Sequence, residues 1–262
     1  AWQMRIILSG PVTEGLGASP FIYGLIWLAG PFTGMVVQPL VGALSDKTVS
    51  PLGRRRPYLL GGALLASLAL WIFPNSANVA ELLHKITGLN LPPLTALLIA
   101  AIMIWIIDAC VNVAQGPYRA LIPDVVPEEQ YSIANSYISL AIGLGSVVAA
   151  GTAPFLKWAF GYQMSIPAQF IMAALAFTLG MIWTCLTIKE AKLNKTTDTK
   201  ENIQAIETKS FWQSLKDFFA LSPEVSKICT MQFFTWIGTM CMMIFFTQYA
   251  VHTIYCVPDL TS

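Results

Sequence analysis

Residues 93 to 119, PLTALLIAAIMIWIIDACVNVAQGPYR, constrain this chain more than any other stretch. A bilayer core of roughly 30 Å needs about 20 helical residues at ~1.5 Å each, and this run supplies them. It also carries Asp108, Asn112, Gln115 and Arg119, whose offsets of 0, +4, +7 and +11 place all four on one helical face. An ionised carboxylate left alone at that depth costs a few kcal/mol or more. A chain that keeps one turns it toward a watery cavity or toward a partner side chain.

The rest of the composition agrees with a membrane setting. Of the 262 residues, 55% are hydrophobic and 11% are charged, whereas soluble domains carry about 25% charged residues. The expected fold class is all-α integral membrane. A net charge of +1, with no basic patch interleaved with aromatics, gives no nucleic acid partner. Five cysteines, Cys110, Cys185, Cys229, Cys241 and Cys256, lack metal spacing and read as small hydrophobes. No signal peptide is visible. The chain starts without Met inside one apolar segment and stops just after another, so it reads as a fragment cut at both ends.

Periodicity divides the chain into seven spans. The first, over 1 to 17, is truncated and ends at the glycines 15 to 17. The second covers 20 to 45, with interruptions expected at Gly30-Pro31 and Gln38-Pro39. A charged turn over 46 to 56 precedes the third span, 57 to 74. A polar loop, 75 to 92, holds a short amphipathic helix near 80 to 86. The stripe-bearing helix is fourth. A turn with two prolines and three acids is expected over 120 to 130, then spans at 131 to 158 and 164 to 188. Ser139, Gly143, Gly145, Ala149 and Ala150 in the fifth span stand at spacings that allow close helix approach. Residues 189 to 224 read as a linker, with an amphipathic surface helix over 211 to 221. A seventh span follows, to about 251.

With alternating sides, one side receives Lys47, Arg54, Arg55, Arg56, Arg119 and seven lysines from Lys189 to Lys227, which is twelve of fifteen basic residues. The positive-inside rule makes that side, and the N-terminus, cytoplasmic, as a multi-pass protein of the plasma (inner) membrane. That orientation is opposite to a seven-helix receptor, and no lysine in the seventh span supports a retinal link. Six spans, a long cytoplasmic linker and a seventh span match a twelve-span transporter stopped past its midpoint. The expected divisions are a six-span bundle over 1–188, the linker over 189–224, and the first span of a second bundle with its outer loop over 225–262.

The turn GALSDKTVSPLGRRRP, 42 to 57, carries Gly42, Asp46, Gly53, Arg54, Arg55 and Arg56. Gly42 can let helices approach closely. Asp46 can bond helix-end N–H groups or an arginine. The arginines set topology and can pair with a carboxylate as an inner gate closes. This turn resembles the major facilitator superfamily, whose loop between spans two and three reads G-x-L-(S/A)-D-x-x-G-R-(R/K). The longer spacer TVSPL resembles the sucrose–proton symporter group within it, which has S-D-R-x-x-S-x-x-G-R-R-R-P. QGPYRALIPD, 115 to 124, is similar to that group's Q-G-P-x-R-A-L-x-x-D element, ending here at Asp124. IWLAGPFTGMVVQPLVG, 26 to 42, is similar to its second span, and Trp2, Leu8 and Pro11 fit its first. The resemblance covers most of 1 to 150 and is closest to the bacterial branch.

That resemblance implies proton-coupled symport of a neutral sugar, with a disaccharide such as sucrose or maltose expected, by a protein monomeric at full length. It implies no cofactor, with the proton as coupling ion. It assigns Asp108 to proton coupling and sugar binding, and Arg119 to transport. The residues fit such a substrate independently. A sugar offers hydroxyls and no charge, so it needs fixed amides and a carboxylate beside an apolar wall. Asn112, Gln115 and Gln38 supply amides and Trp105 a wall. Gln38 can instead mend backbone broken at Pro39. Arg5, where plant relatives carry a neutral polar residue, either partners Asp108 or binds substrate. Against this stands a bland alternative: the stripe is interhelical glue with Asp108 paired permanently to Arg5, and Arg119 only snorkels to headgroups. An efflux carrier, a non-transporting sugar receptor and an intramembrane enzyme are the other readings. The enzyme lacks a second deep acid or clustered histidines.

Overall fold

The computed structural model describes residues 2–90, 92, 94–188 and 223–254. The described helices are α1 (Trp2–Gly15), α2 (Pro20–Trp27), α3 (Ala29–Lys47), α4 (Arg56–Ile72), α5 (Ser76–Thr87), α6 (Thr95–Val125), α7 (Tyr131–Phe160), α8 (Ile166–Thr187) and α9 (Pro223–Tyr249). They form two compact units, one holding α1 to α8 and the other α9 with the π turn Ala250–Ile254. The linker and the amphipathic helix expected over 211 to 221 lie outside the described residues. Among those described, five segments are long and apolar enough to cross a membrane: 20–46, 56–87, 95–125, 128–160 and 166–187. Their outward faces carry apolar side chains such as Leu64, Leu68, Leu98 and Ile102, each more than half exposed, as a lipid-facing surface requires.

Local chemistry sets the helix ends. α1 stops where Gly17 takes φ +86°, a conformation that L side chains resist. Ser19 then caps α2, its hydroxyl accepting from the Ile22 N–H at 3.3 Å, with Pro20 at the first helical position. α2 and α3 form one span with a step at Leu28. Pro31 cannot donate to the Trp27 carbonyl and its ring crowds it, so the ladder resets there, and Phe32 N–H bonds the Leu28 carbonyl at 3.1 Å. The second expected interruption does not occur: α3 runs through Pro39 to Lys47.

The proline-rich turn expected over 120 to 130 is also corrected. α6 continues to Val125 with Pro117 and Pro123 inside it. Each proline removes only one ladder bond, and Pro117 is fully buried against neighbouring side chains that hold the helix. Likewise α5 begins at Ser76, directly after a 3-10 turn, and not near 80.

α6 is the central rod. One apolar core joins Ile104 and Ile107 of α6 to Leu70 of α4, Ile26 of α2 and Phe170 of α8, with Phe73 and Phe170 edge-to-face at 5.3 Å. Closest approach occurs at Gly62. A Cβ there would stand 2.7 Å from the Cys110 carbonyl oxygen and 3.0 Å from the Ala114 nitrogen. The close packing expected at Gly42 and along the fifth span is not found. Among the described residues, nothing lies within 4 Å of a Cβ built at Gly42, Gly143 or Gly145, and α7 has no buried residue.

Gly62→Ala is expected to lower stability by about 1–3 kcal/mol through overpacking. Gly61→Ala, where a Cβ meets nothing within 4 Å, leaves it unchanged. Thermal unfolding midpoints of the two detergent-purified variants check this.

Candidate functional site

Asp108 lies 13 residues into α6, about 20 Å along its axis, near the middle of the rod. Three elements converge on it. From α1, the Arg5 guanidinium pairs with its Oδ1, and each side chain is 1% exposed. From α2, Trp27 presents its ring to the same guanidinium, 4.7 Å from Cζ to centroid. From α3, Gly30 faces the carboxylate, and a Cβ there would stand 3.8 Å from Oδ2. No described residue donates to Oδ2. Of the two roles open to Arg5, the geometry places it as the partner of Asp108.

One turn on, Asn112 is the hub of an amide relay. Its Oδ1 accepts from Gln38 Nε2 at 2.5 Å. Its Nδ2 donates to Thr33 Oγ1 at 3.0 Å and to the Asp108 carbonyl at 2.9 Å. Thr33 passes the chain to the Ala29 carbonyl at 2.7 Å. Gln38 also donates to Gln115 Oε1 at 3.1 Å. Gly30, Thr33, Gly34 and Gln38 recur at offsets of 3, 4 and 8, so one face of α3 meets Asp108, Asn112 and Gln115 of the stripe. These partners satisfy groups that would otherwise cost about 1–3 kcal/mol each when buried. The stripe is thus turned toward α1 and α3.

Two residues take other places. Trp105 leans on Phe32 at 5.8 Å between centroids and lines an apolar groove with Ile102, Ile106 and Thr33. The aromatic at the ion pair is Trp27, which the sequence reading missed. Its signal was available: Tyr23 and Trp27 are four apart on α2, and both are buried. Arg119 is exposed and, eleven residues on, sits about 16 Å along the axis from Asp108. The two do not form one site in this conformation.

A second polar cluster gathers the residues of the charged turn. Asp124, at the end of α6, accepts from Arg54 Nη2 at 2.8 Å and from Arg55 Nε at 2.5 Å. Arg55 also reaches Asp46 at the end of α3, at 3.1 Å. Arg56 turns to α8 and donates to the Ile188 carbonyl. Gly53 permits the approach, with φ +106° and its N–H on the Ser50 carbonyl at 3.0 Å. Three helix ends are therefore tied through one loop.

Asp124→Ala removes the acceptor shared by two partly buried arginines, and a loss on the order of 1–3 kcal/mol is expected. Arg119→Ala, at an exposed side chain, is expected to stay within about 0.5 kcal/mol of the parent. Denaturation of the two variants side by side measures the contrast.

Comparison with known proteins fits this architecture. The model for the Major Facilitator Superfamily matches residues 2–258. Sucrose transport protein SUT2 of Oryza sativa subsp. indica is 30% identical over 273 residues, covering 97% of this chain and 54% of the relative. Sucrose transport protein SUC3 of Arabidopsis thaliana is 30% identical over 214 residues, 76% of this chain and 36% of the relative. The general alpha-glucoside permease of Schizosaccharomyces pombe is 27% identical over 252 residues, 95% and 45%. The chain spans about half the length of the curated relatives it matches. A multi-pass helical bundle with a buried polar centre and a match across nearly its whole length places this chain in the Major Facilitator Superfamily, a family of transporters and not of enzymes.

Proposed function

We propose that the full-length protein takes up a neutral sugar by alternating access, coupled to a proton at Asp108. Sucrose and maltose, both α-glucosides, are the first substrates to consider, since the relatives are named for sucrose and alpha-glucosides. The observation that carries the reading is a buried mid-membrane carboxylate paired with the Arg5 guanidinium and facing the bare backbone of Gly30 on its other side. A group in that state can accept a proton or a sugar hydroxyl. Asn112, Gln115 and Gln38 extend the acceptor and donor set along the same face, and rearranging their relay would release them to a polyol. The cluster at Asp46, Arg54, Arg55 and Asp124 acts as the cytoplasmic gate. Twelve of fifteen basic residues on one side support a cytoplasmic N-terminus in the plasma (inner) membrane. The protein works as a monomer.

One observation favours the bland alternative: Arg5 already neutralises Asp108, and a buried pair of that kind can simply hold α1 to α6. Flux separates the two. In proteoliposomes of the full-length protein, labelled sucrose or maltose is expected to show counterflow, with sugar-dependent alkalinisation of the outer medium. Asp108→Asn is expected to cut that alkalinisation roughly ten-fold or more, a change of about 1.4 kcal/mol. Near parental proton flux from this variant rules out Asp108 as the coupling group. Absence of counterflow with either sugar removes the uptake reading.

A further inference from the structure

Arg5 stands at the mid-membrane carboxylate. Its guanidinium both pairs with Asp108 and lies over the Trp27 ring. A pyranose asks a site for the same two features: an acceptor for its hydroxyls and a flat apolar face for its C–H groups. One planar, five-donor side chain thus covers both at once. Arg5, Trp27 and Asp108 are 1%, 4% and 1% exposed, so neither feature is open to a ligand while Arg5 stays in place.

We infer that Arg5 is an internal competitor for the sugar, resting on Asp108 and Trp27 and leaving both when the sugar binds. The inference depends on the sugar reading above. Two further features equip the site for exchange. Gly30 leaves the second face of Asp108 without a side chain opposite it. The displaced cation also has somewhere to go. Ser9 stands four residues beyond Arg5 on the same face of α1, and its hydroxyl lies 3.0 Å from that of Tyr23. Both oxygens can accept from a guanidinium. Tyr23 in turn sits edge-on to Trp27 at 6.1 Å. A short swing along α1 would therefore trade a carboxylate for two hydroxyls while uncovering the indole. A proton or a hydroxyl arriving at Asp108 compensates the carboxylate as Arg5 departs. Apparent sugar affinity is then set by the resting contact as much as by the sugar's own contacts.

Equilibrium binding of labelled sucrose and maltose to the purified full-length protein tests this. Arg5→Gln is expected to tighten binding roughly ten-fold, the worth of one charge-assisted contact. Arg5→Lys keeps a cation for Asp108 but loses the plane over Trp27, and is expected to tighten binding by a smaller factor. A merely structural arginine does not yield tighter binding when replaced. If Arg5→Gln fails to fold, Arg5→Lys decides alone. Binding at parental strength or weaker in the folded variants, with the parent binding normally, overturns the competitor and leaves the sugar reading standing. If neither parent nor variants bind either sugar, the sugar reading falls and the competitor with it.

Discussion

The Arg5–Asp108 pair is the constraint around which the first unit is arranged. A carboxylate 13 residues inside a 31-residue apolar helix has no water to turn to, and its cation comes from another helix. α1 and α6 are thereby held in one register, with Trp27 closing the guanidinium's other face. Such a pair contributes little net stability once desolvation is counted, yet breaking it is costly, about 3–5 kcal/mol. Its value is in specifying which helices meet and at what height. The amide relay from Gln38 through Asn112 to Thr33 repeats this one turn away, between α3 and α6.

The two polar centres sit at opposite kinds of depth and are built differently. The mid-membrane centre is buried, with its side chains held by one another. At the helix ends, Asp124 and Arg54 remain about a fifth to a quarter exposed and Asp46 half exposed. Water can replace lost partners there, so those contacts are cheaper to break than the buried ones. α6 joins the two centres as one rigid element. Its close contact with α4 lies at Gly62, where a Cβ would force the Cys110 carbonyl to shift.

Much of this was legible in the sequence. The spans followed from apolar run length, because a bilayer sets that length directly. The charged turn pointed to a carboxylate for the arginines and offered Asp46 an arginine, whereas Asp124 as the shared acceptor came from the way the helix ends meet. The misreadings share a cause. The sequence suggests breaks at Pro39 and in the turn around Pro123, but in a packed bundle neighbouring side chains carry a helix through the loss of one backbone bond. Glycines at Gly42 and along α7 were read as contact points from spacing alone, and the decisive one was Gly62. Spacing gives a face, and only the crossing of two helices says which glycine lies under it.

Spacing alone placed Asp108, Asn112 and Gln115 on one face of α6, because helical periodicity is a property of the local chain. It also placed Arg119 on that face, though eleven residues of rise carry it far from Asp108. Composition alone placed the protein in a membrane. Tertiary structure decided which way that face turns and what meets it: Arg5 and not water at Asp108, Trp27 and not Trp105 beside it, Gln38 and Thr33 at Asn112. The physical reason is that partners for buried polar groups come from other helices, separated by up to about a hundred residues of chain. No local period records which helices will stand side by side.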